Sequence, residues 1–479
     1  MSYDEGMCSE GCDVAGFLCA PEGNDKISTC TSTYRKSIYD SENMRCKSRD
    51  RMVENHYHLT NLLETTSAAR ELRPESLLTH YEHNLEHNLT SRKLFSLKEL
   101  YPYDYLHLIQ KYVPEELISS KNFTEIRSIA KYFSGSVTSF FGFESNLNKP
   151  DAQSDFLFAV SSKRGEREAL ADLINCNSFP GNSDNNKEWK QIRDFVAQWV
   201  DPSSILYDKV LGIWFEFDTN FSFSSYKMPV PSIFIHPETI TSCSNMKEIS
   251  KYSWLTKIAI PILTGKEIPD DVEQKIVDCI FKMPKGSVLF QVGTMLSRST
   301  NDIRLVFKRM LPSQIVPYLK SIGWSDKEEG LSLLLENIQR YVSRVVLHIT
   351  VREQVDPKIG IECSFYPDLY NLETRWSDFL DYLTENNICI SKKKSALFNF
   401  SGVEQEISYY NFDPKIFIPA VKIPSNDFSA ALVRYISHVK LVYQSNHHIE
   451  AKAYLGVRLF GTFNELTDKN LRTVMKNKN

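Results

Sequence analysis

From about residue 96 onward the chain repeats one order of segments five times: two segments of helical periodicity are followed by two of strand periodicity. In the first unit, apolar residues recur at the spacing of a buried helical stripe, from Tyr105 to Tyr112 and from Ile126 to Phe133. Two runs of β-branched and aromatic residues follow, at residues 136–146 and 155–161. The repeat therefore predicts ten strands, arranged as five hairpins with a helix pair before each.

The four later units keep this order. Their helices are predicted around residues 166–174, 186–200, 247–263 and 270–282, after Pro312, from Leu331 to Val342, from Trp376 to Leu383, and near 427–436. Their strands are predicted at residues 210–218, 231–237, 287–295, 303–310, 343–351, 358–366, 438–444 and 450–460. In the fifth unit an insertion, residues 386–425, separates the two predicted helices.

Hairpins this short favour antiparallel pairing, because each parallel pair would need a helical crossover between its strands. A twisted sheet of about ten strands tends to curl or close, and closure removes its exposed edges. We therefore predict an α+β fold, a closed antiparallel ten-stranded β-barrel with the helices outside. It forms one domain over residues 96–462, although 479 residues would by length alone suggest two or three domains.

The flanking segments differ from this repeat. Residues 1–50 are polar and lack periodicity, so we expect a disordered tail that contains cysteines. A helical extension is expected at 51–95 and a C-terminal tail at 463–479. The cysteine spacing in the first tail matches no paired zinc pattern. His80, His83 and His87 would share a helical face with Glu and Asn side chains, which favours a solvated surface; we expect no metal site.

Overall charge and hydropathy exclude several classes of partner. The chain has 56 basic and 60 acidic residues, for a net charge of -4, so no global field favours nucleic acid or an anionic membrane. No charged-then-apolar leader is present, and no run approaches the roughly 18 apolar residues of a transmembrane helix. We expect a soluble, cytoplasmic protein. Nucleotide-binding glycine motifs, the hydrolase elbow and the zincin motif are also absent.

Alternation along the strands separates an apolar face from a polar one. In residues 343–351, for example, Val345, Leu347 and Ile349 oppose Arg344, His348 and Thr350. If helices cover the apolar faces, the polar faces line a hydrated lumen, where charges need partners. Lysine and arginine on facing strands could then hold a diphosphate, and a carboxylate could act as a base. The alternative is a two-sheet protein whose polar faces meet water.

The candidate residues all come from these polar faces. The predicted diphosphate-binding residues are Arg304, Lys308, Lys440, Lys452, Tyr454 and Arg458. The candidate bases are Glu144 and Glu362, and further carboxylates that could join the surface are Glu216 and Asp218.

The order of elements over residues 96–460 resembles the ABBA-type, or PT-barrel, aromatic prenyltransferases. This resemblance implies natural-product biosynthesis: an allylic prenyl group passes from an isoprenoid diphosphate to an aromatic or peptide acceptor. It implies that Arg304, Lys440 and the Lys452-x-Tyr454 pair hold the diphosphate, with Glu144 as the base. No cofactor is required, although Mg²⁺ could accompany the donor.

Two features bear on that resemblance. The second and fourth strands lack the basic residues that such enzymes commonly place there, whereas the absence of a DDxxD motif agrees with the family. The other class to weigh is a non-catalytic protein that uses the barrel to hold a peptide or a small apolar ligand.

Overall fold

The structure is a computed structural model that describes residues 102–463, with gaps at 136, 139, 164, 183–185, 220–227, 243–247, 249, 299, 301 and 406–427. The predictions for the cysteine-containing tail, the helical extension, the histidine-rich segment and the C-terminal tail lie outside the described residues. Residues 406–425 of the predicted insertion also lie outside them.

Each unit begins with helices and ends with strands, as the sequence pattern predicts. The first unit comprises α1 (Pro102–Ile109), α2 (Ser120–Ala130), β1 (Phe140–Asn146) and β2 (Ser154–Ser161). The second comprises α3 (Glu166–Asn175), α4 (Lys187–Val200), α5 (Ile205–Lys209), β3 (Val210–Phe217), β4 (Ser232–Pro237) and the short β5 (Ile240–Thr241). In the third, a π-helical turn (Leu255–Ala259) runs into α6 (Ile260–Thr264), and α7 (Asp270–Phe281), β6 (Val288–Thr294) and β7 (Ile303–Lys308) follow.

The last two units complete the repeat. The fourth comprises α8 (Pro312–Ser321), α9 (Glu328–Ile338), β8 (Arg344–Val351) and β9 (Ile359–Ser364). The fifth comprises α10 (Trp376–Glu385), α11 (Ser391–Phe400), β10 (Gly402–Gln405), β11 (Phe428–Tyr443) and β12 (Glu450–Phe463).

The second helix of the fifth unit is not where the sequence suggested. Residues 427–436 were predicted to be helical, but β11 already begins at Phe428, and the helix is α11, inside the predicted insertion. The prediction for 427–436 is wrong because Val433 and Tyr435 face one way while Arg434 and Ile436 face the other, the period-2 pattern of a strand.

Ten strands form a closed ring in which every pairing is antiparallel. Their order is β12-β1-β2-β3-β4-β6-β7-β8-β9-β11, and β11 closes the ring by pairing with both β9 and β12. The remaining two are short additions: β10 extends β11 at its first half, and β5 pairs with β6. The prediction of a closed antiparallel ten-stranded barrel is confirmed.

One large apolar core lies between the outward strand faces and the helices. It contains Val345, Leu347 and Ile349 of β8 together with helical residues such as Trp199 of α4. The Trp199 indole also donates a hydrogen bond of 2.9 Å to the Val210 carbonyl, which fixes α4 against β3. No helix in the described part of the chain is long and apolar enough to cross a membrane. Because the helices cover the apolar faces of the strands, the polar faces line the barrel interior.

Candidate functional site

Charged side chains from six strands form what we call the lumen layer. Its members are Glu144 of β1, Glu216 of β3, Arg304 of β7, Glu362 of β9, Lys440 of β11 and Lys452 of β12. The register explains the grouping, because Lys440 lies directly opposite Glu362 on one side and opposite Lys452 on the other. Glu144 lies opposite Tyr454. Four predicted anion contacts, Arg304, Lys440, Lys452 and Tyr454, therefore share one region with both candidate bases.

Glu144 is held by two groups from the neighbouring strand. It is only 4% exposed, and its carboxylate accepts hydrogen bonds from Lys452 Nζ and from the Tyr454 hydroxyl. Burial by itself would raise the pKa of Glu144, but the Lys452 and Lys440 cations and these two hydrogen bonds lower the pKa to about 2. The carboxylate is therefore ionised throughout the physiological pH range.

Lys440 makes a different contact. Its Nζ lies 3.1 Å from His348 Nδ1, and His348 Nε2 lies 2.5 Å from Glu362 Oε1. Burial, followed by the nearby Lys440 cation, lowers the pKa of His348 to about 4, so the imidazole is neutral at pH 7. A neutral ring that accepts at Nδ1 carries its hydrogen on Nε2, the nitrogen that lies beside Glu362.

A glycine makes this arrangement possible. A Cβ at Gly360 would lie 2.8 Å from Lys440 Cε and 3.0 Å from His348 Cβ. Gly360 lies on β9, between β8, which carries His348, and β11, which carries Lys440. The two side chains can therefore meet across this glycine.

His438 lies between Glu362 and Tyr454, the residue that donates to Glu144. Its ring stacks on Tyr454 at 4.2 Å between centroids and 17° between planes, and its Nε2 is 3.5 Å from Glu362 Oε1. Burial opposes ionisation of Glu362, but His438 and His348 lower the pKa of this carboxyl well below its usual range. Both candidate bases are therefore anions, one beside Lys452 and the other beside two histidines.

A second group of carboxyls lies where β2 begins and β3 ends. Asp218 accepts hydrogen bonds from Arg298 Nη2 at 2.9 Å and from the Ser297 hydroxyl at 2.7 Å. Asp155 accepts one from the Thr219 amide at 3.0 Å. Burial, then the charges of Glu144 and Asp218, raise the pKa of Asp155 to about 8, so it is largely protonated at pH 7.

The other two predicted cations lie elsewhere. Lys308 Nζ stands 3.2 Å from the centroid of the Phe290 ring. Arg458 Nη1 donates a hydrogen bond of 2.9 Å to the Tyr370 hydroxyl. The structure thus brings four of the six predicted contacts together.

Arg458 adjoins an apolar part of the barrel interior, which we call the aromatic patch: Phe140, Trp214, Tyr370 and Tyr435. Phe140 meets Trp214 edge to face at 5.4 Å, and Tyr370 meets Tyr435 edge to face at 5.0 Å. Phe140 and Trp214 precede Glu144 and Glu216 on the same strand faces. The interior therefore has a charged region and an aromatic region.

Sequence reasoning missed Asp155, Arg298, His348 and His438 as members of the site. The two histidines were visible on polar strand faces, and Asp155 directly precedes an apolar strand run. Arg298 lies in the loop between β6 and β7, and no pattern in the sequence relates that loop to Asp218. Among the described residues, no group of three His, Cys, Asp or Glu side chains is placed to hold a metal ion.

No protein family model matches the chain. No curated protein matches it in sequence. Among solved structures, it is similar to the prenyltransferase PriB in its apo form, with 9% identity and a TM-score of 0.39 over 74% of this chain and 94% of that one. It is likewise similar to the PriB binary complex with product diphosphate, with 10% identity and a TM-score of 0.39 over 74% and 95%. The barrel assignment rests on the strand pairing itself, which has the architecture implied by the resemblance to PT-barrel enzymes.

Proposed function

We propose that this protein is a PT-barrel-like transferase that moves an allylic prenyl group from a diphosphate donor to an aromatic or peptide acceptor inside the barrel. The observation that supports this most is that the barrel interior contains both a group of cations and a group of aromatic rings. The lumen layer supplies Arg304, Lys440 and Lys452, and the aromatic patch lies further along the same strand faces.

Arg304 is the cation best suited to contact the donor. Within the described residues its guanidinium has no hydrogen-bond or ion-pair partner, and it is only partly buried. A diphosphate would accept hydrogen bonds from several N–H groups of the Arg304 guanidinium and from the Lys440 ammonium. Each charge-assisted hydrogen bond contributes on the order of 1.5 to 3 kcal/mol.

The transfer step assigns a role to each region. The bond between the allylic carbon and the diphosphate oxygen breaks, and the positive charge on the prenyl group is stabilised by the faces of aromatic rings. The acceptor forms a new bond to that carbon and releases a proton. Glu144, or alternatively Glu362, takes up this proton; both are ionised and buried beside the cations.

One observation favours the non-catalytic alternative. Glu144 already binds Lys452 and Tyr454, so two of the four proposed anion contacts have a partner without any donor. If the carboxylates neutralise the layer completely, the barrel would hold an uncharged ligand or a peptide instead.

Calorimetric titration with dimethylallyl, geranyl and inorganic diphosphates separates the two functions. We expect the wild-type protein to bind, and Arg304→Met and Lys440→Met to bind about 10-fold to 100-fold more weakly, the equivalent of losing one charge-assisted hydrogen bond. Lys320→Met is the matched control, because Lys320 pairs with Glu328 on the helical surface and is 56% exposed. No binding by the wild type, or equal binding by all variants, would leave the binding-protein alternative.

A further inference from the structure

We propose that Lys440 is a nucleophilic amine that condenses with an aldehyde carbonyl to form a Schiff base. This activity goes beyond prenyl transfer. It concerns the chemistry of one side chain and needs no diphosphate.

The two lysines that face each other across β11 and β12 differ in their contacts. Lys452 is ion-paired with Glu144, and the pKa of its ammonium is raised by that carboxylate. Lys440, directly opposite it in register, makes its hydrogen bond to a neutral imidazole, at 3.1 Å from His348 Nδ1. The same lumen thus holds a lysine that is fixed as a cation and one that is not.

The surroundings of Lys440 increase the fraction of its neutral form. The side chain is 7% exposed, and Arg304 is the cation whose charge acts on it most strongly. Burial, followed by Arg304, lowers the pKa of Lys440 to about 8. Desolvation and a neighbouring cation are the two means by which proteins generate a nucleophilic lysine.

The neighbouring groups also suit the proton transfers of the reaction. The neutral amine attacks the carbonyl carbon, a C–N bond forms, and His348 Nδ1 takes a proton from the new ammonium. The resulting imidazolium faces Glu362, 2.5 Å from its Nε2. It returns this proton to the alkoxide oxygen, which gives the neutral carbinolamine. A second proton then passes through His348 from the nitrogen to the hydroxyl, which leaves as water as the C=N bond forms. Amine and aldehyde give imine and water, and His348 ends as it began.

Gly360 supports the idea that this contact is built into the fold. Any larger residue there would place a Cβ against both Lys440 Cε and His348 Cβ, at 2.8 and 3.0 Å. The glycine leaves space for the lysine and the imidazole to meet.

The test is reductive labelling of the full chain at neutral pH with limiting propanal and cyanoborohydride, with peptide mass spectrometry reading each lysine. We expect Lys440 to react at least about 10-fold faster than Lys452, whose pKa is raised by Glu144, and at least about 10-fold faster than the surface residue Lys190, which is 68% exposed. Labelling of Lys440 that is equal to or slower than either control would overturn the proposal.

Variants that leave Lys440 in place test the cause. Arg304→Met removes the cation and should slow labelling of Lys440 several-fold, whereas Arg304→Lys keeps a positive charge and should restore it. Lys190 should react equally in all three proteins. If Arg304→Met reacts like the wild type while circular dichroism shows it folded, the proposed activation is wrong. No diphosphate is present, so this result is independent of the calorimetric test of donor binding.

Discussion

Glu144 and Asp155 lie opposite each other on β1 and β2, but the pKa of Glu144 is lowered and that of Asp155 is raised. Both lie at the same end of the lumen. Glu144 accepts hydrogen bonds from an ammonium and a hydroxyl of β12. Asp155 accepts one from a backbone amide and lies near the charges of Glu144 and Asp218. Burial raises the pKa of both groups, so the difference between their ionisation states comes from their different neighbours.

Replacing Glu144 with glutamine should destabilise the protein. The change leaves Lys452 in the barrel interior without its carboxylate, which costs about 3 to 5 kcal/mol. The folded pKa of about 2 lies below the ordinary value of 4.5, so the stabilisation is present above pH 4.5 and is lost as the pH falls toward 2. Urea denaturation at pH 7 and pH 3 measures both effects. Wild type and Glu144→Gln should differ less at pH 3, and an equal difference at both pH values would contradict this.

Asp155→Asn should have the opposite effect. The folded pKa of about 8 lies above the ordinary 3.8, so keeping Asp155 protonated costs stability increasingly as the pH rises from 3.8 to 8. Asparagine stays neutral and can still accept the Thr219 amide hydrogen bond. We expect a gain of at least about 1 kcal/mol at pH 8, the equivalent of one pKa unit, and little change at pH 4. Urea denaturation at both pH values is the measurement, and a loss of stability at pH 8 would show that the carboxylate is stabilising.

At this scale the sequence predicts side-chain direction but not side-chain partners. Alternation put Glu144, Lys440 and Lys452 on polar faces, because strand geometry is local. The contact from Lys440 through His348 to Glu362 depends on the register of three strands from two different units. A local pattern has no information about that register.

At the scale of elements, the strands were predictable where β-branched and aromatic residues concentrate. Helix α11 was missed because Ser391–Phe400 is rich in lysine and carries a weak apolar stripe. The start of β11 was predicted to be helical because residues 427–436 contain two alanines and neither glycine nor proline. It is a strand because β10 and β12 pair with it on both sides, a non-local reason.

Helix α9 offers a matched test of which helical face packs on the barrel. Leu331 is fully buried and Leu333, two residues on, is 59% exposed. Leu331→Ala should cost about 2 to 5 kcal/mol because it leaves a cavity, and Leu333→Ala should change stability by less than about 0.5 kcal/mol. Chemical denaturation of both variants measures this. Similar effects for the two would mean that α9 does not pack as described.

For the whole molecule, ring closure is the feature that length and composition could not predict. A chain of 479 residues usually divides into domains, but here each hairpin is paired with the hairpins of both neighbouring units. Opening the ring at any point exposes strand edges on both sides of the opening and part of the shared core. No unit can therefore leave without weakening its neighbours.

This closure predicts that distant core substitutions destabilise the same cooperative unit. Phe156 of β2 and Leu347 of β8 are both fully buried, in the first and the fourth units. Phe156→Ala should cost about 3 to 5 kcal/mol and Leu347→Ala about 2 to 5 kcal/mol. Because the strands open together, amide hydrogen exchange should accelerate in all ten ring strands of each variant, and Leu333→Ala serves as the exposed control. Faster exchange confined to the unit that carries the substitution would show that the barrel unfolds in independent parts, as two or three separate domains would.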